Sequence, residues 1–211
     1  MSRSRSKTDR HVRRRLSEGT STIDVMLVLS IPAVLLAIAA LPRSVRVSLA
    51  FSYTDPTVPT AFASAFVHLT PAHLAVNLGM YALVVGVTYP LSVLSGRKRR
   101  FRVTFVALVV ACPIVLSYLN LAIVRQSASV GFSGVLLALY GYLPVALGTY
   151  LETEFAVGPD RTTAPLVFFV GTGIITALTL IAVLTNPVVV PVRGVRVPVT
   201  IVLAGTLAGL T

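Results

Sequence analysis

Charged residues are scarce in this sequence. Only 12% of its 211 residues are Asp, Glu, Lys or Arg, whereas 55% are hydrophobic and the mean hydropathy is +0.86. Soluble domains carry roughly 25% charged residues, and a soluble fold of this length could not bury so much apolar surface. The charges are also bunched between long uncharged runs, which is typical of a protein embedded in lipid.

Cysteine is nearly absent, and the basic residues are not arranged for nucleic acid. The single Cys112 excludes an intramolecular disulfide and a Cys-based zinc site. The formal net charge is +11, but a nucleic-acid-binding domain displays its Lys and Arg on one folded face. Here the basic residues stand between apolar runs, so we predict no nucleic-acid partner.

Residues 1–21 are polar and basic, with almost nothing to bury, and are predicted to form a disordered cytoplasmic tail. The first apolar run, Val25 to Leu41, has two interpretations. It could be the apolar core of a signal peptide, with Ala37 and Ala39 near a cleavage site. We favour a retained membrane anchor, because the charged region before it is long and more apolar runs follow.

Later apolar runs are long enough to cross a ~30 Å hydrocarbon core as helices. They cover Pro71–Leu94, Val103–Ile123, Gly131–Tyr150 and Ala164–Leu184. A sixth begins near Val197 and reaches only ~22 Å by Thr211, so we expect an incomplete last span and a truncated protein. The runs lack the period-two alternation of strands. The predicted fold class is all-α: a polytopic bundle of six membrane spans over residues 22–211.

The basic residues predict the orientation of the bundle. Thirteen of the eighteen Lys and Arg residues fall in the tail, in the segment 97–102 and at Arg161, which all lie on one side if the spans alternate. Because basic residues are enriched in cytoplasmic loops, the N-terminus is predicted to be cytoplasmic. The chain would then be a multi-pass integral protein of the cell membrane.

Two clusters of polar residues lie within or beside apolar runs, where polar side chains are functional candidates by default. The first is F-V-H-L-T-P-A-H-L-A-V-N-L, with His68, His73 and Asn77. His73 and Asn77 are four residues apart and would share one face of a helix. They could contribute to a functional site or only bond to a neighbouring helix for packing.

The second cluster, S-V-G-F-S-G-V-L-L-A-L-Y-G-Y, begins the fourth span and places Ser133 between Gly131 and Gly134. A serine at a helix N-terminus lies beside unpaired backbone N–H groups and the positive end of the helix dipole. The second and fourth spans both start on the outer side, so Ser133, His73 and Asn77 are predicted at similar depth. A hydroxyl nucleophile next to two side-chain donors indicates acyl transfer with an oxyanion hole.

The paired motifs H-x-x-x-x-H-x-x-x-N and G-x-S-G-V-x-x-A-L-x-G-Y resemble those of the rhomboid proteases, and the likeness covers roughly residues 22–211. The resemblance implies that Ser133 is the nucleophile. It implies that His73, Asn77 and the Ser133 backbone N–H form the oxyanion hole, and that His68, Gly131 and Gly134 support the site. It also implies that no metal or organic cofactor is used, and that the substrates are transmembrane segments of other proteins.

The chain departs from the family pattern at the general base. The family uses a histidine of the sixth span in an A-H-x-x-G-like pattern, but here L-A-G-T-L-A-G-L-T places Thr206 at that position. Leu137 stands where many relatives have an aromatic ring against that histidine, and the sequence has no tryptophan. A threonine hydroxyl cannot act as a base near neutral pH.

Three functions therefore remain open from the sequence. The chain is either a rhomboid-like intramembrane serine protease or a catalytically inactive relative that binds membrane clients through the same cavity. A transporter or unrelated scaffold is disfavoured, because no span carries a deep acidic residue and no inverted repeat is evident. All three have the lipid bilayer as a partner.

Overall fold

The computed structural model describes residues 2–121, 128–155, 169–171, 173, 189–192 and 195–198. The chain divides into two compact units, Met1–Ala164 and Pro165–Thr211, and each is described by itself. The first contains seven α-helices, a 3-10 helix and one pair of short strands among its described residues. The second contains a two-stranded hairpin.

Four helices of the first unit are long and apolar enough to cross a membrane. They are α2 (Thr22–Ala39), α5 (Pro71–Leu94), α6 (Lys98–Asn120) and α7 (Ser133–Phe155). The shorter elements are α3 (Arg43–Ser48), β1 (Phe51–Ser52), α4 (Val58–Ala63), the 3-10 helix Ser64–Phe66 and β2 (Ala128–Ser129). The predictions of the first four spans are confirmed, with shifts of up to five residues at their ends.

Local sequence signals explain where these helices begin and end. Ser21 and Asp24 form a capping box at the start of α2. Thr70 caps α5 ahead of Pro71, whose fixed φ suits the first helical turn. After α5, Gly96 takes a φ of 69°, and its N–H and that of Arg97 bond to the carbonyls of Val93 and Ser92. This is the glycine-ended turn that commonly stops a helix.

Aromatic rings fill the core between the spanning helices. The Phe101 and Phe105 side chains of α6 and Phe132 before α7 are each almost fully buried. Tyr81 packs against Phe105 and Phe132, and its hydroxyl donates to the carbonyl of Val28 in α2 at 2.6 Å. One buried tyrosine thus links three of the four spans.

The basic N-terminal segment is a helix, α1 (Ser2–Gly19), which differs from the predicted disordered tail. Arg15 donates to the carbonyl of Leu94 at 2.6 Å and forms an ion pair with Glu154 of α7. Lys98 donates to the carbonyl of Gly19 at 3.0 Å. These contacts come from residues distant in sequence, so composition alone could not indicate them.

The second unit contains a hairpin of β3 (Val189–Val192) and β4 (Val195–Pro198), with Val190 opposite Val197. The prediction that a helical span begins near Val197 is therefore wrong at its start, and the all-α assignment missed this hairpin and the β1–β2 pair. Valine-rich runs on both sides of a two-residue connection favour strands. The predicted fifth span is helical at 169–171 and 173; its other residues, and 199–211 with Thr206, lie outside the described residues.

Candidate active site

Helix polarity assigns the predicted site residues to one end of the first unit. The starts of α5 and α7 lie there with the end of α6, whereas the starts of α2 and α6 lie at the other end with α1. The β1–β2 pair, in which Phe51 lies opposite Ser129, joins the segment after α3 to the segment before α7. The two polar clusters of the sequence are therefore brought together by the fold.

Ser133 is the first residue of α7 and is exposed. The first backbone bond of this helix runs from the N–H of Leu136 to the carbonyl of Phe132 at 3.0 Å. The N–H groups of Ser133, Gly134 and Val135 therefore have no helical carbonyl to bond. The Ser133 hydroxyl thus stands beside free backbone donors, an arrangement that favours negative charge.

Gly131 joins the two clusters. Its φ is 115°, and a Cβ at this position would lie 2.6 Å from Cε1 of His73 and 2.9 Å from its Nε2. A side chain would therefore be strained and would displace the imidazole. The N–H of Gly131 donates to the carbonyl of Ser64 at 3.0 Å, which fixes the loop before Ser133. The His73 ring consequently packs against the backbone two residues before Ser133.

His73 and Asn77 occupy the first two turns of α5. The N–H of His73 donates to the Oγ1 of the capping Thr70 at 3.3 Å. Asn77 is 2% exposed, and its Nδ2 donates to the His73 carbonyl one turn earlier at 2.9 Å. A side-chain amide has two N–H donors, so one remains for another acceptor. The observed bond lies within α5, so it is not the bond to a neighbouring helix that the packing alternative predicts, and that alternative stays a prediction.

His68 lies in the loop before α5 and is 1% exposed. Its ring meets that of His73 edge to face, with centroids 4.9 Å apart. Nδ1 lies 3.4 Å from the Phe66 carbonyl, and Nε2 has no partner among the described residues. Burial, and secondarily the nearby His73, lower the pKa of His68. A neutral imidazole buried against His73 supports that ring without adding charge.

A cavity of about 170 Å³ lies beside Ser133. Its polar lining comes from Ser64, Ser117, Asn120, Ser129 and Ser133. Such a volume holds several water molecules. His68, His73 and Asn77 do not line this cavity. His73 packs against Gly131, outside the cavity lining. Gly134 lies on its wall, where an added Cβ would be 2.7 Å from Cδ1 of Leu116.

Two residues that the sequence did not predict, Arg46 and Ser117, hold this end together. The Arg46 guanidinium donates to the carbonyl of His68, and Ser117 Oγ donates to the Ala61 carbonyl at 2.9 Å. Ser117 is a polar residue in a predicted span, and that signal could have identified it. In the sequence, Arg46 contributes only to the prediction of membrane orientation. No local pattern indicates that its partner is the carbonyl of His68. Within the described segments, no group of three or more His, Cys, Asp and Glu could hold a metal ion.

The family model of the rhomboid domain matches residues 56–210, which is more than two thirds of the chain. This stretch contains both polar clusters and three of the four candidate spans. No curated protein and no solved structure matches the chain. The chain belongs to the rhomboid family, and its apolar helices make it an integral membrane protein.

Proposed function

We propose that this protein is a rhomboid-like intramembrane serine protease that cleaves transmembrane segments of other membrane proteins. The observation that carries the proposal is the position of Ser133, exposed at the start of α7, two residues after a glycine that packs against His73. A hydroxyl nucleophile beside free backbone N–H groups, on a loop that packs against an imidazole, is an arrangement suited to acyl transfer.

In the proposed reaction, the Ser133 oxygen attacks a peptide carbonyl of the substrate and the peptide C–N bond breaks. The proton of the Ser133 hydroxyl passes through water to the departing amine, which leaves an acyl-enzyme. The developing oxyanion would accept hydrogen bonds from the Ser133 N–H, the His73 ring and the second N–H of Asn77. Water for hydrolysis of the acyl-enzyme would come from the cavity that Ser133 lines. No organic cofactor is needed for these steps.

Removal of the proton from the Ser133 hydroxyl should be the slowest step, because this chain has no histidine at the position of the family's general base. No histidine follows His73 in this sequence, and by resemblance Thr206 stands where the family has its general base. A serine hydrolase that lacks a triad member retains about 10³–10⁴-fold acceleration over water from its oxyanion hole and substrate binding. We therefore propose slow proteolysis by the 211-residue chain.

Thr206 at the position of the family's general base favours a second function. In this alternative, the protein is a catalytically inactive rhomboid-like protein that binds membrane clients. The two functions differ in the reactivity of Ser133. A protease reacts covalently at this hydroxyl, whereas a client-binding relative has no need of it.

Labelling with a fluorophosphonate probe distinguishes the two functions. The unmodified chain should label slowly, Ser133→Ala should not label, and Ser129→Ala, which changes a hydroxyl at the same cavity, should label like the unmodified chain. Thr206→His should raise the rate. Labelling that survives Ser133→Ala would contradict the role of Ser133, and no labelling of any folded variant would favour client binding.

A further inference from the structure

The junction between α5 and α6 carries five basic residues between positions 97 and 102. Two of them hold parts of the protein together. Lys98 donates to the carbonyl of Gly19, and Arg102 forms an ion pair with the buried Asp24 and donates to Ser21 Oγ at 2.9 Å.

The other three, Arg97, Arg99 and Arg100, are exposed. Their guanidinium groups have no hydrogen-bond or ion-pair partner among the residues that the structure describes. Together with Gly96 they line a shallow cavity of about 450 Å³ at the start of α6. Guanidinium groups bind phosphate oxygens through paired N–H donors, so three unneutralised arginines around one cavity favour a phosphate group.

An apolar strip leads from this cavity along α6. Val103 lines the cavity and is 63% exposed, and Val106 and Val110 are 45% and 52% exposed. Their spacing of three and four residues places them on one face of the helix. Because α6 is a candidate membrane span, this strip would face hydrocarbon rather than water in a bilayer. A ligand that fits both features has a phosphate joined to an acyl chain.

We propose that the cavity at the start of α6 binds an anionic phospholipid of the adjoining leaflet. The phosphate would contact Arg97, Arg99 and Arg100, and one acyl chain would lie along Val103, Val106 and Val110. Basic clusters at the cytoplasmic ends of membrane spans attract anionic headgroups, and this end is predicted to be cytoplasmic. A soluble phosphate ion would use the arginines and leave the valine strip without a role.

The test is a titration of the detergent-solubilised full chain with fluorescent phosphatidylglycerol, beside phosphatidylcholine with the same acyl chains. The unmodified chain should bind phosphatidylglycerol more tightly. The triple variant Arg97→Gln, Arg99→Gln and Arg100→Gln should lose about fivefold in affinity per arginine, or on the order of a hundredfold in total. The corresponding triple change to Lys keeps the charge but removes the paired guanidinium donors, so its affinity should lie between those of the unmodified chain and the triple Gln variant.

Arg43→Gln removes one exposed arginine at the other end of the unit and should leave binding unchanged. Equal binding of the two lipids would overturn the proposal, as would an unchanged affinity of the folded triple Gln variant. Competition with inorganic phosphate distinguishes a lipid site from a site for a soluble anion. If it displaced all of the lipid and Val103→Ser had no effect, the site would take a soluble anion and the lipid assignment would be wrong.

Discussion

The two ends of the first unit are held by different interactions. At the end predicted to be cytoplasmic, the contacts are ionic: Asp24 pairs with Arg102, Arg15 with Glu154, and Lys98 with the last carbonyl of α1. At the opposite end, called the neutral end because its described residues form no ion pair, the loops are held by hydrogen bonds to backbone carbonyls, one of them from the Arg46 guanidinium. The edge-to-face contact of His68 with His73 and closely packed glycines hold them as well.

The charged end contributes mainly to stability, and the neutral end carries the groups that we propose for chemistry. The charged end anchors the termini of α1, α2, α5, α6 and α7, and the carboxylate of Asp24 is completely covered. Among the described residues, polar groups at the neutral end lack partners, including Nε2 of His68 and the first N–H groups of α7. The exposed Ser133 hydroxyl lies beside these first N–H groups of α7, and for that reason we propose that this end acts on a ligand.

The largest expected effect is on activity, at the neutral end. Asn77→Ala should lower transition-state stabilisation by about 2.7–4 kcal/mol if its free N–H is an oxyanion donor. Membrane hydrogen bonds average only about 0.6 kcal/mol, so the free energy of unfolding should hardly change. The rate of fluorophosphonate labelling in a Thr206→His background measures the first quantity, and unfolding in mixed micelles measures the second. Failure of Asn77→Ala to accumulate in the membrane would instead support the packing role.

At the charged end, the expected effect is on stability. Asp24→Asn leaves Arg102 without its charged partner and should lower the free energy of unfolding by about 1–2 kcal/mol, because the Arg102 side chain is partly exposed. Ser30→Ala is a matched change in the same helix, because its exposed hydroxyl bonds only to the Leu27 carbonyl, and it should have little effect. Labelling of Ser133 per folded molecule should be the same in both. Slower labelling in folded Asp24→Asn protein would show that the two ends are coupled.

Gly131 and Gly96 provide a matched pair across the two ends, since both have positive φ. Alanine at either position should cost about 1–2 kcal/mol of stability from backbone strain. Only Gly131→Ala should also slow labelling of Ser133, by up to about a hundredfold, because its Cβ would displace the His73 ring. A Cβ at Gly96 would have no atom within 4 Å. Equal labelling rates in the two variants would exclude His73 from the site.

The smallest expected effect is on stability, and it comes from the contacts that hold α1 against the ends of α5 and α7. Arg15→Gln should lower stability by less than about 1 kcal/mol, because its ion pair is partly exposed. It should also increase amide hydrogen exchange in residues 10–19. Arg14→Gln is the control, since Arg14 pairs with Glu18 of its own helix. Rapid exchange throughout this segment in the unmodified chain would restore the predicted disordered tail.

The sequence predicted the spanning helices well, because length and apolarity decide them locally. The limits of α5 were predicted without error, since Thr70 and Pro71 mark its start and the Gly96 turn marks its end. The two motifs also predicted which residues the fold brings to one end. Pairings across long stretches of chain could not be read locally: Asp24 with Arg102, Arg46 with the His68 carbonyl, and Phe51 with Ser129. The β3–β4 hairpin was missed because residues 189–196 were predicted to be a loop between two spans, and the last span was predicted to begin near Val197.

Cleavage of a reporter transmembrane substrate in proteoliposomes tests the central claim, that Ser133 at the neutral end performs slow proteolysis for want of a base. The unmodified chain should cleave barely above the Ser133→Ala background. Thr206→His should raise cleavage, and adding Leu137→Tyr should raise it further, because Leu137 is 57% exposed one turn after Ser133 and a ring there could hold the imidazole. Cleavage by the unmodified chain at the rate of an active rhomboid would reveal another base, and no gain from Thr206→His in folded protein would contradict the assignment of Thr206 to the histidine position.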